Sequence, residues 1–311
     1  VSAGRRQPAQ ALIPRPRVPL VVQACNVGTI ILPFLGLVAA IVLLWGRGFH
    51  WLHLALLAGM YTGTGLGVTI GFHRLLTHRS FETTRWVKFV LGVLGSMAVQ
   101  GPVLRWVATH RRHHQHSDQP ADPHSPHLHG HGIRGLLRGL WHAHMGWLFR
   151  PDAPDLHRYV GDHARDPLMR RVSAWFPIWV LAGLLIPTAV GGLAAGSWSG
   201  ALLGLIWGGL ARVFLLHHVT WSINSVCHLW GTRPFDCDDH SRNNFLFGLL
   251  AWGEGWHNNH HAFPTSARHG LRWWQIDVSY AVIRTLAWLD LAWNIRMPAA
   301  EAMAARLAVR T

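Results

Sequence analysis

Four long apolar runs constrain this chain more than anything else in it. They cover about residues 22–44, 51–70, 175–195 and 201–219. Each approaches the roughly 20 residues a helix needs to cross the hydrocarbon core of a bilayer. The gaps between the first and second runs, and between the third and fourth, are short, which makes two hairpins. Composition agrees. Half of the 311 residues are hydrophobic and only 14% are charged, where a soluble domain carries about a quarter. The formal charge of +14, with 24 histidines counted as neutral, suits either nucleic acid or anionic lipid headgroups. No nucleic-acid recognition fold accompanies it, and the apolar runs favour lipid. Cys25, Cys227 and Cys237 form no CxxC and no disulfide framework.

The N-terminal stretch VSAGRRQPAQALIPRPRVPL is basic and proline-rich. The apolar run after it is too long for a signal-peptide core and is followed by no cleavage signal, so it reads as a retained helix behind a polar tail. Arg5, Arg6, Arg15 and Arg17 put that tail in the cytosol by the positive-inside rule. Two crossings return the chain to the cytosol near His73. Arg105, Arg111, Arg112, Arg134 and Arg138 keep the middle segment there, and two further crossings return it before His228. The run 85–107 is apolar but interrupted by Lys88, Gln100, Gly101 and Pro102. It reads as a helix or broken pair at the interface, because a fifth crossing would strand the last polar motif on the opposite side. The expected architecture is an all-α integral membrane protein with four spans in two hairpins, interfacial helices and a cytosolic, histidine-rich cap. It divides into a tail (1–20), a first hairpin (21–72), a middle segment (73–174), a second hairpin (175–219) and the remainder of the cap (220–311).

Histidines mark the polar segments. The first motif, His73-Arg-Leu-Leu-Thr-His78, directly follows the second span. Its spacing of five is less tidy than i,i+4 on an ideal helix, and a local bend would be needed to turn both rings inward. The second, His110-Arg-Arg-His113-His114, sets three imidazoles on one helical face at i, i+3 and i+4. The third, His257-Asn-Asn-His260-His261, repeats that geometry. Upstream of it, Asn224 and His228 lie at i,i+4. A lone histidine such as His50, His53 or His163 reads as an ordinary polar side chain, and HSPHLHGHG as a polar loop. Two HxxHH triplets flanked by membrane segments are harder to explain by solubility or packing. Nine such histidines are enough for two metals. Imidazole alone does not choose among iron, zinc, copper and nickel, and the set differs from the ExxH carboxylates of soluble di-iron bundles.

From about Tyr61 to His261 the chain resembles the membrane fatty-acid desaturase family, in its stearoyl-CoA-desaturase-like branch. The segments LGVTIGFHRLLTHRSF, WVATHRRHHQHSDQPADPH, HAHMGW, TWSINSVCHLWG and GEGWHNNHH carry the likeness. The resemblance implies two non-haem iron ions held by His73, His78, His110, His113, His114, His228, His257, His260 and His261, with Asn224 reaching one metal through water. Asp118, Asp122 and Glu254 are candidates to orient ligand rings, or simply to cap helices, and His217 and His218 are further candidates near the site. Tyr61, Gly65 and Trp106 are implied to border a substrate tunnel, with Tyr61 giving bulk and Gly65 leaving room beside it.

The implied reaction uses reduced iron and dioxygen as co-substrate. Two hydrogens leave adjacent carbons, a cis double bond forms and oxygen ends as water. The leading expectation is a bacterial acyl-CoA Δ9 desaturase acting at C9–C10 of a long-chain acyl group, in the bacterial inner membrane. One departure bears on the carrier: related animal acyl-CoA enzymes have an Arg-Asp pair just before the second motif, where this chain has Ala108-Thr109. An acyl-lipid or acyl-carrier desaturase is therefore an alternative. A membrane di-iron hydroxylase is another, and a histidine-rich metal transporter a remote third. The chain carries no recognisable Rossmann dinucleotide-binding fingerprint, no ferredoxin cysteine cluster and no recognisable cytochrome b5 haem domain. An external ferredoxin or cytochrome b5-like donor with its reductase is implied.

Overall fold

The structure is a computed structural model that describes residues 18–46, 50–150 and 154–308. The basic tail with Arg5, Arg6, Arg15 and Arg17 lies outside the described residues. Four helices are long and apolar enough to cross a membrane: Leu20–Leu43, Trp51–Thr77, Phe176–Ala195 and Trp198–His228. They come from α1 (Leu20–Gly46), α2 (Trp51–Leu66) with its extension Gly67–Thr77, α8 (Phe176–Ala195), and α9 (Trp198–Gly204) running through Leu205–Ala211 into α10 (Arg212–Ser225). In the second hairpin α8 ends on Gly196 in the left-handed conformation (φ 58°), and the Ser197 hydroxyl accepts from the Gly200 amide to start α9. Four spans in two hairpins is the architecture expected from the apolar runs.

The run 85–107 is two helices, α3 (Arg85–Met97) and α4 (Val103–His116). Positive φ at Val99 (62°) and Gly101 (97°), followed by Pro102, breaks them apart. Neither reaches the length of a span. The break is held from the fourth span, where His217 Nε2 donates to the carbonyls of Ala98 and Val99 at 3.0 and 3.1 Å. A buried arginine in the same span, Arg212, donates to the carbonyls of Met97 (2.7 Å), Gly183 (2.8 Å) and Gly208 (3.2 Å). Charged side chains inside a bundle persist only when so satisfied, and this one ties α3 to the second hairpin.

Helices α5 (Gly132–His144), α6 (Leu156–Ala164) and α7 (Pro167–Ala174) follow α4, and α11 (Phe245–Leu250), α12 (His257–Ala262), α13 (Val278–Trp288) and α14 (Ala300–Ala305) follow α10. Two short antiparallel strands, Glu82–Thr83 and Ala292–Trp293, join the first part of the cap to the last. The largest buried core, with Ile70, Phe72, Leu76, Val107, Val160 and Ile283, lies where the end of the second span meets α3, α4 and α13. The aromatic C-terminal stretch thus forms a helix packed on the cap through Ile283, with Trp288 left exposed.

Gly67–Thr77 is a π-helix. Its wider turn is paired with an unusually close crossing: a Cβ on Gly67 would lie 2.2 Å from the backbone nitrogen of Gly95 in α3. Only a residue without a side chain fits there. The π-helix is also what the spacing of five at His73 and His78 requires. Its i→i+5 bonds, such as His78 N to His73 O at 3.1 Å, stack residues five apart. The two rings end 4.8 Å apart, so the wide turn supplies the bend that an α-helix would lack.

Candidate metal centre

The histidines gather into two adjoining groups. His73, His78, His110, His114 and His260 form one, and His113, His228, His257 and His261 the other. Within each group the nitrogen atoms lie within 4.8 Å of one another. Helix geometry divides each triplet. On α4 the i and i+4 members, His110 and His114, enter the first group and the i+3 member, His113, the second. On α12 the division is reversed: His260 enters the first group, while His257 and His261 enter the second. Sequence neighbours His113/His114 and His260/His261 therefore hold the groups side by side. The π-helix adds His73 and His78, and the end of the fourth span adds His228.

Carboxylates fix the ring tautomers. His73 Nδ1 donates to Glu254 at 2.5 Å, His113 Nδ1 to Asp122 at 3.0 Å, His228 Nδ1 to Asp118 at 2.9 Å and His261 Nδ1 to Asp239 at 2.5 Å. A carboxylate has no proton to give, so Nδ1 carries it and the Nε2 lone pair of each ring faces inward. Inside, Nε2 atoms face one another: His73 and His260 at 3.0 Å, His260 and His114 at 3.0 Å, His110 and His114 at 3.1 Å, His228 and His257 at 3.1 Å. Among the described residues the buried Nε2 atoms of His78, His113 and His261 have no hydrogen-bond partner. Adjacent nitrogens on one metal at about 2.0–2.1 Å lie about 3 Å apart. Converging lone pairs at that separation fit two cations held by imidazole.

Electrostatics point the same way for six of the rings, whereas at His113 burial is outweighed by the Asp122 carboxylate, which raises the pKa. Burial pushes His78, His110, His114, His257 and His260 well below the ordinary imidazole range, and neighbouring imidazoles push further. His261 is lowered to about 4 by burial, against the pull of Asp239. These rings are neutral, as metal ligands must be. Burial would raise Asp118, Asp122 and Asp239, but their bonds to the histidines hold all three well below the usual carboxylate range.

The expected orienting carboxylates Asp118, Asp122 and Glu254 each bond a ring of the two groups. Asp239 does the same for His261 and gave no signal in the sequence. It lies in an irregular segment 22 residues upstream of its partner. Also unforeseen is His269, fully buried, with its ring 4.4 Å from that of His260 and 5.4 Å from that of His73. His217 and His218 have other partners: His217 binds the break between α3 and α4, and His218 Nδ1 meets His144 Nε2 at 2.9 Å.

A cavity of about 900 Å³ runs past the histidines. Its lining includes the exposed Arg105, Arg150 and Leu128, the buried Leu216 and Trp252, and His73, His110, His257, Asn224 and Trp106. Trp106 stacks on His110 at 5.1 Å and donates to Gln100, which donates to Thr220 on α10. Of the expected tunnel residues, Gly65 and Trp106 line the cavity and Tyr61 does not. The space beside Gly65 is not open either, because the indole of Trp252 fills it.

Four helices long and apolar enough to span a membrane, capped by two histidine groups able to hold metal and passed by one cavity, fit a membrane metalloenzyme. The chain belongs to the fatty acid desaturase family, whose sequence profile matches residues 49–293. It is 45% identical to a hex-5-enoyl-(acyl-carrier protein) acetylenase of Moorena producens, over 89% of this chain and 87% of that protein. It is 40% identical to an sn-1 stearoyl-lipid 9-desaturase of Anabaena variabilis, over 85% of this chain and 92% of that one. It is also 40% identical to an icosanoyl-CoA 5-desaturase of Limnanthes douglasii, over 78% of this chain and 64% of that one. Oxygen- and di-iron-dependent desaturation of a fatty acyl chain is the general activity that family and histidine groups support.

Proposed function

We propose that this protein introduces a cis double bond at C9–C10 of a long acyl chain esterified to a membrane glycerolipid. The nine histidines are the iron ligands, with Asn224 acting through water. The observation that carries the carrier assignment is at the start of the second motif. Where the related animal acyl-CoA enzymes carry a charged pair, this chain has Ala108, fully buried in the core, and Thr109. Of the other arginines there, Arg111 is committed inward, to Asp162 and the carbonyls of Leu76, Thr77 and Tyr159. Arg112 donates to the carbonyl of Ala121. That leaves Arg105 and Arg150 exposed at the cavity opening, a sparse cationic rim suited to one headgroup phosphate. The Anabaena variabilis relative, whose name specifies a stearoyl lipid and position 9, supports this reading. Acyl-carrier protein is the second reading, favoured by the 45% identity to the acetylenase. Acyl-CoA ranks behind both.

Iron with dioxygen supplies the oxidising power that an unactivated C–H bond demands. The chain's own residues do the rest. The four carboxylates hold the Nδ1 protons of His73, His113, His228 and His261 and keep the Nε2 lone pairs of those four rings inward. Trp106, Gln100 and Thr220 fix the cavity wall where the acyl chain passes the histidines. Apolar residues beyond them hold the methyl end away from water, and Arg105 and Arg150 hold the headgroup end. Electrons come from an external ferredoxin or cytochrome b5-like donor.

Offering iron-loaded protein equal concentrations of stearoyl lipid, stearoyl-carrier protein and stearoyl-CoA tests the assignment. The expected result is a kcat/KM for the lipid at least about tenfold above that for CoA, a difference of about 1.4 kcal/mol. Preference for CoA contradicts the proposal, and preference for the carrier protein moves it to the second reading.

A further inference from the structure

Trp252, in the turn between α11 and α12, lines the cavity beside the second span. Tryptophan at positive φ (50°) is uncommon, and such strained positions gather at ligand clamps. Its backbone is fixed on both sides: its amide donates to Leu249 O at 3.3 Å and its carbonyl accepts from Ser279 N at 3.1 Å. The indole enters a socket in the second span. A Cβ on Gly65 would lie 2.1 and 2.2 Å from its ring atoms Cζ3 and Cη2. Tyr61, one turn further from the histidines, backs it at 4.7 Å between ring centroids, and the Tyr61 hydroxyl donates to Leu250 O at 3.0 Å. Val68, Ala98 and Leu216 complete the buried apolar cluster around it. Gly65 and Trp252 line the cavity and Tyr61 does not, so on this side the space stops at the indole.

From these contacts we infer that Trp252 is the residue that limits acyl-chain length, acting as a stopper against the methyl end. This rests on the reading of the cavity as the acyl site. The stopper belongs to the cap rather than to the span, and the bare backbone of Gly65 is what admits it. Eight residues separate Gly65 from His73, so the room beyond the first histidine is at most about 12 Å along the helix. Tyr61 acts through Trp252 as a positioning residue, holding the indole flat in its socket.

The test compares wild type with Trp252→Leu and Trp252→Ala on saturated acyl chains of graded length, on both lipid and carrier protein. Truncating a buried tryptophan leaves a cavity, so the preferred length is expected to rise by about two carbons or more. Tyr61→Phe, which loses only the bond to Leu250, should broaden the length profile without moving its maximum as far. Protection of the folded protein against thermal unfolding by the same acyl series reads the stopper without turnover. It keeps the test valid if no carrier is desaturated, a result that would count against the proposed reaction alone. Longer chains protecting the Trp252 variants, but not wild type, support the inference. An unchanged length profile in a folded Trp252→Leu protein, by turnover or by protection, overturns it.

Discussion

Replacing His114 or His257 by alanine is expected to remove about half of the bound iron and to abolish desaturation. The two residues belong to different groups, so each substitution opens one metal position and leaves the other complete. Substituting residues that merely orient a ligand costs about 10–100-fold in metal affinity or activity. Losing the ligand itself should therefore lower turnover by more than about 100-fold. Iron analysis of the purified variants checks the first part and product analysis the second. Iron content equal to wild type in either variant contradicts the ligand assignment. The division of each HxxHH triplet gives a sharper form of the same expectation. His113→Ala should behave like His257→Ala, and not like substitution of its sequence neighbour His114.

Arg74→Leu is expected to destabilise the fold by about 3–5 kcal/mol, the range seen when one partner of a buried ion pair is removed. Arg74 is fully buried beside Glu254 and Asp277. Its guanidinium donates to both carboxylates and to the carbonyls of Ala267 (3.0 Å) and Thr69 (3.2 Å). Leucine there would leave two carboxylates in a dry site without a cation. Glu254 would suffer most. Burial pushes its pKa up, and Arg74 is the main influence holding it down. Without Arg74 its pKa would rise and the carboxylate that orients His73 would lose its main anchor. The stability loss should thus come with weaker metal retention, measured by thermal unfolding in detergent and by iron content on the same samples. Unchanged unfolding and iron retention would show that the two carboxylates find another partner.

What the sequence revealed, and what it hid, follows from the range of the interactions. The spans were legible because a bilayer crossing needs a continuous apolar run, a property of local sequence alone. The triplets were legible because i, i+3 and i+4 already share a helix face. Their division between two groups was not, since it depends on how α4 and α12 face each other. The spacing of five in the first motif pointed to a bend, and a π-helix supplies it. The close crossing of Gly67 on α3 that accompanies it joins residues from two different elements. Nothing in the local sequence marks the burial of Arg74 and Arg212, because most of their partners come from distant segments. Asp239 lay hidden for the same reason. Tyr61 and Gly65 were taken as bulk and open room side by side, but the room beside Gly65 is filled by Trp252, from a distant part of the chain.

The most direct measurement is the mass of the acyl chain recovered after reaction. Iron-loaded protein in lipid would be supplied with dioxygen, an electron donor system and a saturated C18 glycerolipid. The account predicts loss of two hydrogens between C9 and C10 with no oxygen retained in the chain. Gain of one oxygen in an alcohol would contradict it and make the protein a hydroxylase.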